Sequence, residues 1–141
     1  MDRHAWIDER LAEVPLFEGL SKKQLRRVSS LAMQIERPAG TVLTVEGEIG
    51  HEFMIVLDGE IEVRHDDRVV ATRGPGSYFG EIALVDRVPR TATVVAKSPV
   101  VLEVIGQREF TGLLAEVPEL AARVHATKAE RLDELDADSG A

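Results

Sequence analysis

Residues 79–93 read Phe-Gly-Glu-Ile-Ala-Leu-Val-Asp-Arg-Val-Pro-Arg-Thr-Ala-Thr. A glycine opens a short apolar turn, a carboxylate follows at once, and an arginine returns just before a strand-like Thr-Ala-Thr-Val. Gly80 has no side chain, so a ligand can approach its backbone closely. The amides of Glu81, Ile82 and Ala83 then lie at the start of a helical turn, where unpaired N–H groups form a natural anion site. The stretch therefore predicts a turn that binds an anionic ligand.

Two opposite charges in this stretch suit two different parts of one ligand. Arg90 adds a permanent positive charge, and its planar guanidinium can bind two phosphate oxygens at once. Glu81 only accepts hydrogen bonds when ionised, so it suits the hydroxyl groups of a ribose and not a phosphate. The alternative is a structural salt bridge between Glu81 and Arg90 that closes the turn. The glycine, the apolar turn and the trailing strand favour a nucleotide over that alternative.

The same residues closely resemble the phosphate-binding cassette of the cyclic nucleotide-binding domain family, of the catabolite activator and protein kinase A regulatory type. The pattern of that family runs F-G-E-(L/I)-A-L and then P-R-(A/S/T)-A-(T/S)-V, and the match has no gap. The resemblance continues in Pro15-Leu16-Phe17, in Glu46-Gly47-Glu48 and in residues 53–63. A single domain therefore accounts for nearly the whole chain.

Three segments of different periodicity follow one another along the chain. The first is helical, with Leu11 and Val14 on one apolar face and a capping box at Ser21 and Gln24. Short runs rich in valine, isoleucine and threonine come next, separated by turn signals that are typical of a sandwich or barrel. Helical periodicity then returns, with Pro118 in the first turn of a new helix.

Taken with the resemblance, which implies a jelly-roll-like β-roll (a double-stranded β-helix), this pattern leads us to expect a mixed α+β fold in which helices flank the roll at both ends. The helix–roll–helix order is also the one that the resemblance implies. The expected boundaries are N-terminal helices over 1–37, the β-roll over 38–106 with the cassette at 79–94, C-terminal helices over 107–136, and an acidic tail over 137–141.

The resemblance also implies which residues contact a cyclic nucleotide. The phosphate and ribose residues are Gly80, Glu81, Ile82, Ala83, Arg90 and Thr91, and the base-side residues are Val63, Val70 and Leu135. Leu135 stands where bacterial transcription activators of the family carry a hydroxyl, which puts their base contact in doubt. Thr91 alone is a poor guanine signature, so we expect cAMP in preference to cGMP. Ordinary strand or core roles remain the alternatives for Thr91 and the valines.

Composition excludes several classes of function. The chain has 25 acidic and 17 basic residues, a net charge of −8, which argues against nucleic acid as a partner. It has no cysteine, and hence neither disulfides nor thiolate metal sites. Its first residues are charged and lack the apolar core of a signal peptide, and no apolar run is long enough to span a bilayer. We expect a cytoplasmic protein that does not bind membranes.

Nothing in the sequence predicts catalysis or a bound metal. The histidines, His4, His51, His65 and His125, are scattered without the spacing of a cupin-type metal site. No Gly-x-Ser-x-Gly nucleophile motif occurs. We therefore expect neither a metal cofactor nor an enzymatic activity.

The resemblance implies a sensor that transmits binding through residues 110–135 to a protein effector, with a possible homodimer through the C-terminal helices. The chain ends where transcription factors of the family continue into a helix-turn-helix. We therefore expect either a fragment of a larger protein or a regulatory subunit acting in trans. Two alternatives stay open, a domain of this fold that has lost its ligand and a cupin-like metalloenzyme.

Overall fold

The computed structural model describes residues 9–81 and 88–139, with side chains as far as Leu132. Residues 9–12 are helical, and Pro15–Phe17 form a 3-10 turn. The other elements, in chain order, are α1 (Lys22–Leu31), β1 (Ala32–Arg37), β2 (Val42–Thr44), β3 (Glu52–Asp58), β4 (Ile61–His65), β5 (Arg68–Arg73), β6 (Tyr78–Phe79), β7 (Thr93–Ala96), β8 (Val100–Gly106), α2 (Gln107–Glu116) and α3 (Pro118–Ser139).

The described strands form two four-stranded sheets that pack as a β-sandwich. The strand order is β1-β8-β3-β6 in one sheet and β2-β7-β4-β5 in the other, and every neighbouring pair is antiparallel. Helices precede and follow the strands in the chain. The prediction of a mixed α+β fold with a jelly-roll-like β-roll between helices is confirmed.

Strand β3 lies between two hydrophobic cores, and its residues 53–57 are all buried. A strand covered on both faces reads as a continuous apolar run rather than an alternating one. Met54 and Val56 pack against the other sheet, while Phe53, Ile55 and Leu57 pack against the helices. The rings of Phe53 and Phe110 stack with their centroids 4.3 Å apart, which fixes α2 on this sheet.

The helix ends follow local signals in the sequence. Ser21 and Gln24 form the expected capping box, with Gln24 N donating to Ser21 Oγ at 3.1 Å and Ser21 N donating to Gln24 Oε1 at 2.9 Å. Helix α3 begins at Pro118, as expected. Arg123 of α3 donates from Nη1 to the carbonyl oxygen of Leu16 at 2.8 Å, which ties α3 to the 3-10 turn.

Two element boundaries differ from those expected. The sheet begins with β1 at Ala32 rather than at Pro38, because β1 pairs along its length with β8 although most of its residues favour helices. Helix α3 continues to Ser139, past the expected end at residue 136, through a run of good helix formers. None of the helices in the described ranges is long and apolar enough to cross a membrane.

Candidate ligand-binding site

Gly80 follows β6 in a conformation that a side chain would strain. Its φ is +96°, in the left-handed region that favours glycine. A Cβ atom there would lie 2.6 Å from Nη1 of Arg90 and 2.7 Å from the carbonyl oxygen of Glu52. The backbone of this turn therefore lies directly against the side chain of Arg90, the arginine of the same sequence motif.

Arg90 is 8% exposed and is held mainly by backbone groups. Its amide donates to Glu48 O at 2.8 Å, and its carbonyl accepts from Gly47 N at 2.9 Å. Its guanidinium donates from Nη2 to Glu52 O at 2.9 Å and from Nη1 to Gly80 O at 3.4 Å. These two bonds use two of the five N–H donors of the guanidinium, which leaves capacity for an anion.

The partial desolvation of Arg90 favours an incoming negative charge, although nearby carboxylates weaken this effect. Burial lowers the pKa of Arg90, and the carboxylates of Glu52 and Glu81 act in the opposite direction. The ordinary pKa of arginine is so high that the side chain stays positively charged. A partly desolvated cation without a salt-bridge partner of its own among the described residues gains when a phosphate neutralises it.

Gly50 is a site residue that the sequence reasoning missed. A Cβ atom at this position would overlap the side chain of Arg90 at Nε, Cζ and Cδ. The second glycine of Glu-Gly-Glu-Ile-Gly was the available signal, but nothing local shows that an arginine 40 positions later (90 − 50) passes over it.

Glu81 is 1% exposed, and its two carboxylate oxygens have different surroundings. Oε1 accepts from Nη1 of Arg131 in α3 at 2.7 Å. Oε2 is buried without a hydrogen-bond partner among the described residues. The guanidinium of Arg131 also lies over the ring of Tyr78, with Cζ 4.6 Å from the ring centroid. One oxygen is thus fixed to the C-terminal helix, and the other remains a strong acceptor.

This geometry differs from the salt bridge between Glu81 and Arg90 that the sequence left as an alternative. The ion pair of Glu81 is with Arg131, and the guanidinium of Arg90 donates to backbone carbonyls. The sequence places Arg131 close to Leu135, one of the expected base-side residues. It did not predict the pairing, because an ion pair between residues 50 positions apart has no local signature.

Three of the other residues expected to contact the ligand lie wholly or partly outside the described part of the chain. Ile82 and Ala83 lie outside the described residues. Leu135 lies in α3, and its side chain is likewise outside the description. Their assigned roles stay predictions.

Two of the remaining expected contacts lie on the sheet that carries β4 and β5, and the third, Thr91, lies just before β7. Val63 packs against the hydrophobic cluster between the sheets, and Val70 is half-buried on β5. Thr91 is half-buried, and its carbonyl oxygen lies 3.0 Å from Nδ1 of His65. The structure therefore gives Thr91 a backbone contact that the sequence did not predict. Its side-chain role stays a prediction.

The fold also brings together residues that have the composition of a metal site. Glu46, His65 and Asp66 each offer one donor atom, and these atoms lie within 4.8 Å of one another. The histidine spacing in the sequence did not indicate this cluster, because Glu46 lies 20 positions before Asp66 in the chain. Hydrogen bonds already join its members, with Asp66 N donating to Glu46 Oε1 at 3.1 Å. The absence of a metal cofactor stays a prediction.

Comparisons with known proteins identify the family. Residues 34–117 match the family described as cyclic nucleotide-binding domain. The chain is 38% identical over 118 residues to the cAMP-dependent protein kinase regulatory subunit of Yarrowia lipolytica, which covers 82% of this chain and 31% of that protein. The protein therefore belongs to the cyclic nucleotide-binding domain family. It spans about a third of the length of that relative.

Solved structures agree with this assignment. The structure of PfPKA-R with cAMP bound superposes with a TM-score of 0.83 at 26% identity, over 94% of this chain and 47% of that one. The catabolite activator protein of Thermus thermophilus superposes with a TM-score of 0.78 at 28% identity, over 89% of this chain and 62% of that one. The similarity thus extends from the cassette to the helices on either side of the β-sandwich.

Proposed function

We propose that this domain binds a 3′,5′-cyclic nucleotide, cAMP in preference to cGMP, and passes binding on to an effector through α2 and α3. One observation carries the proposal: Oε2 of Glu81 is buried without a partner among the described residues. A buried acceptor left unsatisfied costs about 1–3 kcal/mol, and more when the group is charged. A ribose hydroxyl is a donor of the kind that would satisfy it.

The phosphate end of the ligand fits the other half of the site. A cyclic phosphate carries one negative charge and little bulk, which matches one arginine beside a glycine turn that has no room for a Cβ atom. A linear monophosphate brings more charge and more bulk into the same space. The cassette should therefore favour the cyclic form.

Transmission rests on the contact between Glu81 and Arg131. A ligand shifts a conformational equilibrium only when it interacts differently with the two states. A ribose that binds Glu81 changes the surroundings of the carboxylate that holds α3, so it can favour one placement of that helix. The likeness to a cAMP-dependent kinase regulatory subunit and to a cAMP-bound structure supports a regulatory role for this chain. We propose that the domain is cytoplasmic, acts on a protein effector and catalyses no reaction.

A second candidate, a domain of this fold that no longer binds nucleotide, also has an observation in its favour. The ion pair between Glu81 and Arg131 already neutralises the buried carboxylate. If that pair is purely structural, it holds α3 in one position, and the site needs no ligand to satisfy the charge of Glu81.

Calorimetric titration with cAMP, cGMP and 5′-AMP separates the two candidates. We expect saturable binding of cAMP, weaker binding of cGMP, and much weaker binding of 5′-AMP, which keeps the base and the ribose but has an open phosphate. Equal affinity for cAMP and 5′-AMP would contradict cyclic-phosphate recognition. No binding of any of the three would favour the structural role.

A further inference from the structure

His65, the last residue of β4, contacts Thr91 and Glu46, which belong to two different segments next to Arg90. Its Nδ1 lies 3.0 Å from the carbonyl oxygen of Thr91 and 3.1 Å from Oε1 of Glu46. Its Nε2 lies 3.5 Å from Oδ2 of Asp66. A backbone carbonyl and a carboxylate only accept hydrogen bonds, so Nδ1 must carry the hydrogen in this geometry.

The two acceptors belong to the segments that hold the arginine. Thr91 directly follows Arg90 in the chain. Glu46 directly precedes Gly47, whose amide donates to the carbonyl of Arg90 at 2.9 Å. The imidazole therefore links the tip of the β4–β5 hairpin to the loop before β3 and to the segment before β7.

Individual hydrogen bonds with Gly47 and Glu48, and not a run of strand pairing, hold the backbone of Arg90. Residues 88–92 are neither helix nor strand, and β7 begins only at Thr93. The hairpin tip is itself well defined, because Asp66 and Asp67 both have positive φ, at 53° and 63°, as a tight two-residue turn requires. Because the tip is well defined, the His65 side chain has a fixed position from which it can hold the irregular segment 88–92.

We propose that His65 is a positioning residue of the nucleotide site: by donating Nδ1–H to Thr91 O, with the Glu46 carboxylate beside it at 3.1 Å, it sets the backbone from which Arg90 reaches the phosphate. The expected effect of His65 on nucleotide binding rests on the proposed function. Its effect on the backbone of Arg90 is independent of any ligand. His65 does not touch the nucleotide itself in this role.

Three substitutions of His65 distinguish the Nδ1 donor from the rest of the ring. Asparagine places an amide N–H near the position of Nδ1, glutamine places one near Nε2, and alanine removes both donors. We expect His65→Ala and His65→Gln to weaken cAMP binding about two- to tenfold, as the loss of an ordinary hydrogen bond implies. His65→Asn should restore most of the affinity. His125→Ala, at an exposed position on α3, is the matched control and should change nothing.

Amide hydrogen exchange without nucleotide gives the second readout. His65→Ala should speed exchange of the amides of Arg90 and Gly47, which donate to Glu48 O and Arg90 O, and His65→Asn should slow it again. If native protein binds no cAMP, the proposed function fails, and the exchange arm alone decides whether His65 positions Arg90. Equal losses with alanine and asparagine would overturn the inference. So would a lower melting temperature of His65→Ala with affinity and exchange at Arg90 unchanged.

Discussion

The two charged residues of the site are held in different ways. Arg90 is fixed by four contacts with backbone atoms of Gly47, Glu48, Glu52 and Gly80, all on the loops and strand ends beside it. Among the described residues, Glu81 is fixed by one side chain, that of Arg131, from a helix 50 positions further along the chain. Four contacts spread over several backbone segments change little when a ligand arrives, whereas a single side-chain contact can be exchanged. The phosphate end is therefore preorganised, and the ribose end is where binding reaches the C-terminal helix.

Removing the arginine tests the preorganised end and should have the largest effect. Arg90→Ala loses two hydrogen bonds to a charged phosphate, each about 1.5–3 kcal/mol, so cAMP affinity should fall about a hundredfold to ten-thousandfold. Arg90→Lys should recover only part of this, because an ammonium lacks the two-pronged fit. Isothermal titration measures both.

Arg37→Ala is the matched control for that experiment, since Arg37 is an exposed arginine at the end of β1. It should leave affinity unchanged. Full recovery of affinity in Arg90→Lys would show that only the charge matters and that the fixed fork geometry does not.

Removing the helix side of the ion pair tests the exchangeable end. Arg131→Ala leaves the buried carboxylate of Glu81 without its ion-pair partner, which should lower the free energy of unfolding by about 3–5 kcal/mol in denaturant titrations. In native protein, cAMP should change amide exchange in α3 as well as around Arg90. In Arg131→Ala the change in α3 should be lost, while the protection around Arg90 remains.

If cAMP still changes amide exchange in α3 of Arg131→Ala, the proposed difference between the two ends is wrong, because the effect of binding then reaches the helix by another route. Protection confined to the cassette in native protein would indicate a passive binder.

The smallest expected effect concerns Tyr78, whose ring lies under the guanidinium of Arg131. Burial raises the pKa of the Tyr78 phenol, only partly opposed by its hydrogen bond with Thr127 and by the charge of Arg131. The folded state therefore keeps its proton to higher pH than the unfolded state, and stability falls as pH rises above about 10. Tyr78→Phe should lessen this alkaline loss.

Tyr78 is the only tyrosine, so phenolate absorbance follows it directly. The midpoint should lie above the ordinary value in folded protein and return to it in denaturant. Equal midpoints in the two states would show that the Tyr78–Arg131 contact is open to water.

The sequence predicted what depends on neighbouring residues. The glycine turn before Glu81, the capping box at Ser21 and the start of α3 at Pro118 all follow from local chemistry. The overall order of helices and strands followed from periodicity and from the family pattern. Burial of Glu81 and Arg90 agrees with their expected place in a site, although their contacts with a ligand stay predictions.

What the sequence did not predict depends on tertiary contacts. Strand β1 contains mostly helix-favouring residues and becomes a strand by pairing with β8. The close approach of Gly50 to Arg90, and the contact of His65 with Thr91, join segments far apart in the chain. Such contacts arise from the packing of the sandwich and have no signature in a local window.

The most direct test of the division between the two ends is Glu81→Ala titrated with cAMP and with 2′-deoxy-cAMP. Both titrations share any rearrangement of Arg131, so their difference isolates the hydroxyl. With cAMP the substitution should cost about tenfold to a hundredfold, the value of a hydrogen bond to a charged group. With 2′-deoxy-cAMP, which lacks the hydroxyl that Glu81 would bind, it should cost little or even improve binding. An equal loss with both ligands would contradict the ribose role and leave Glu81 as a purely structural partner of Arg131.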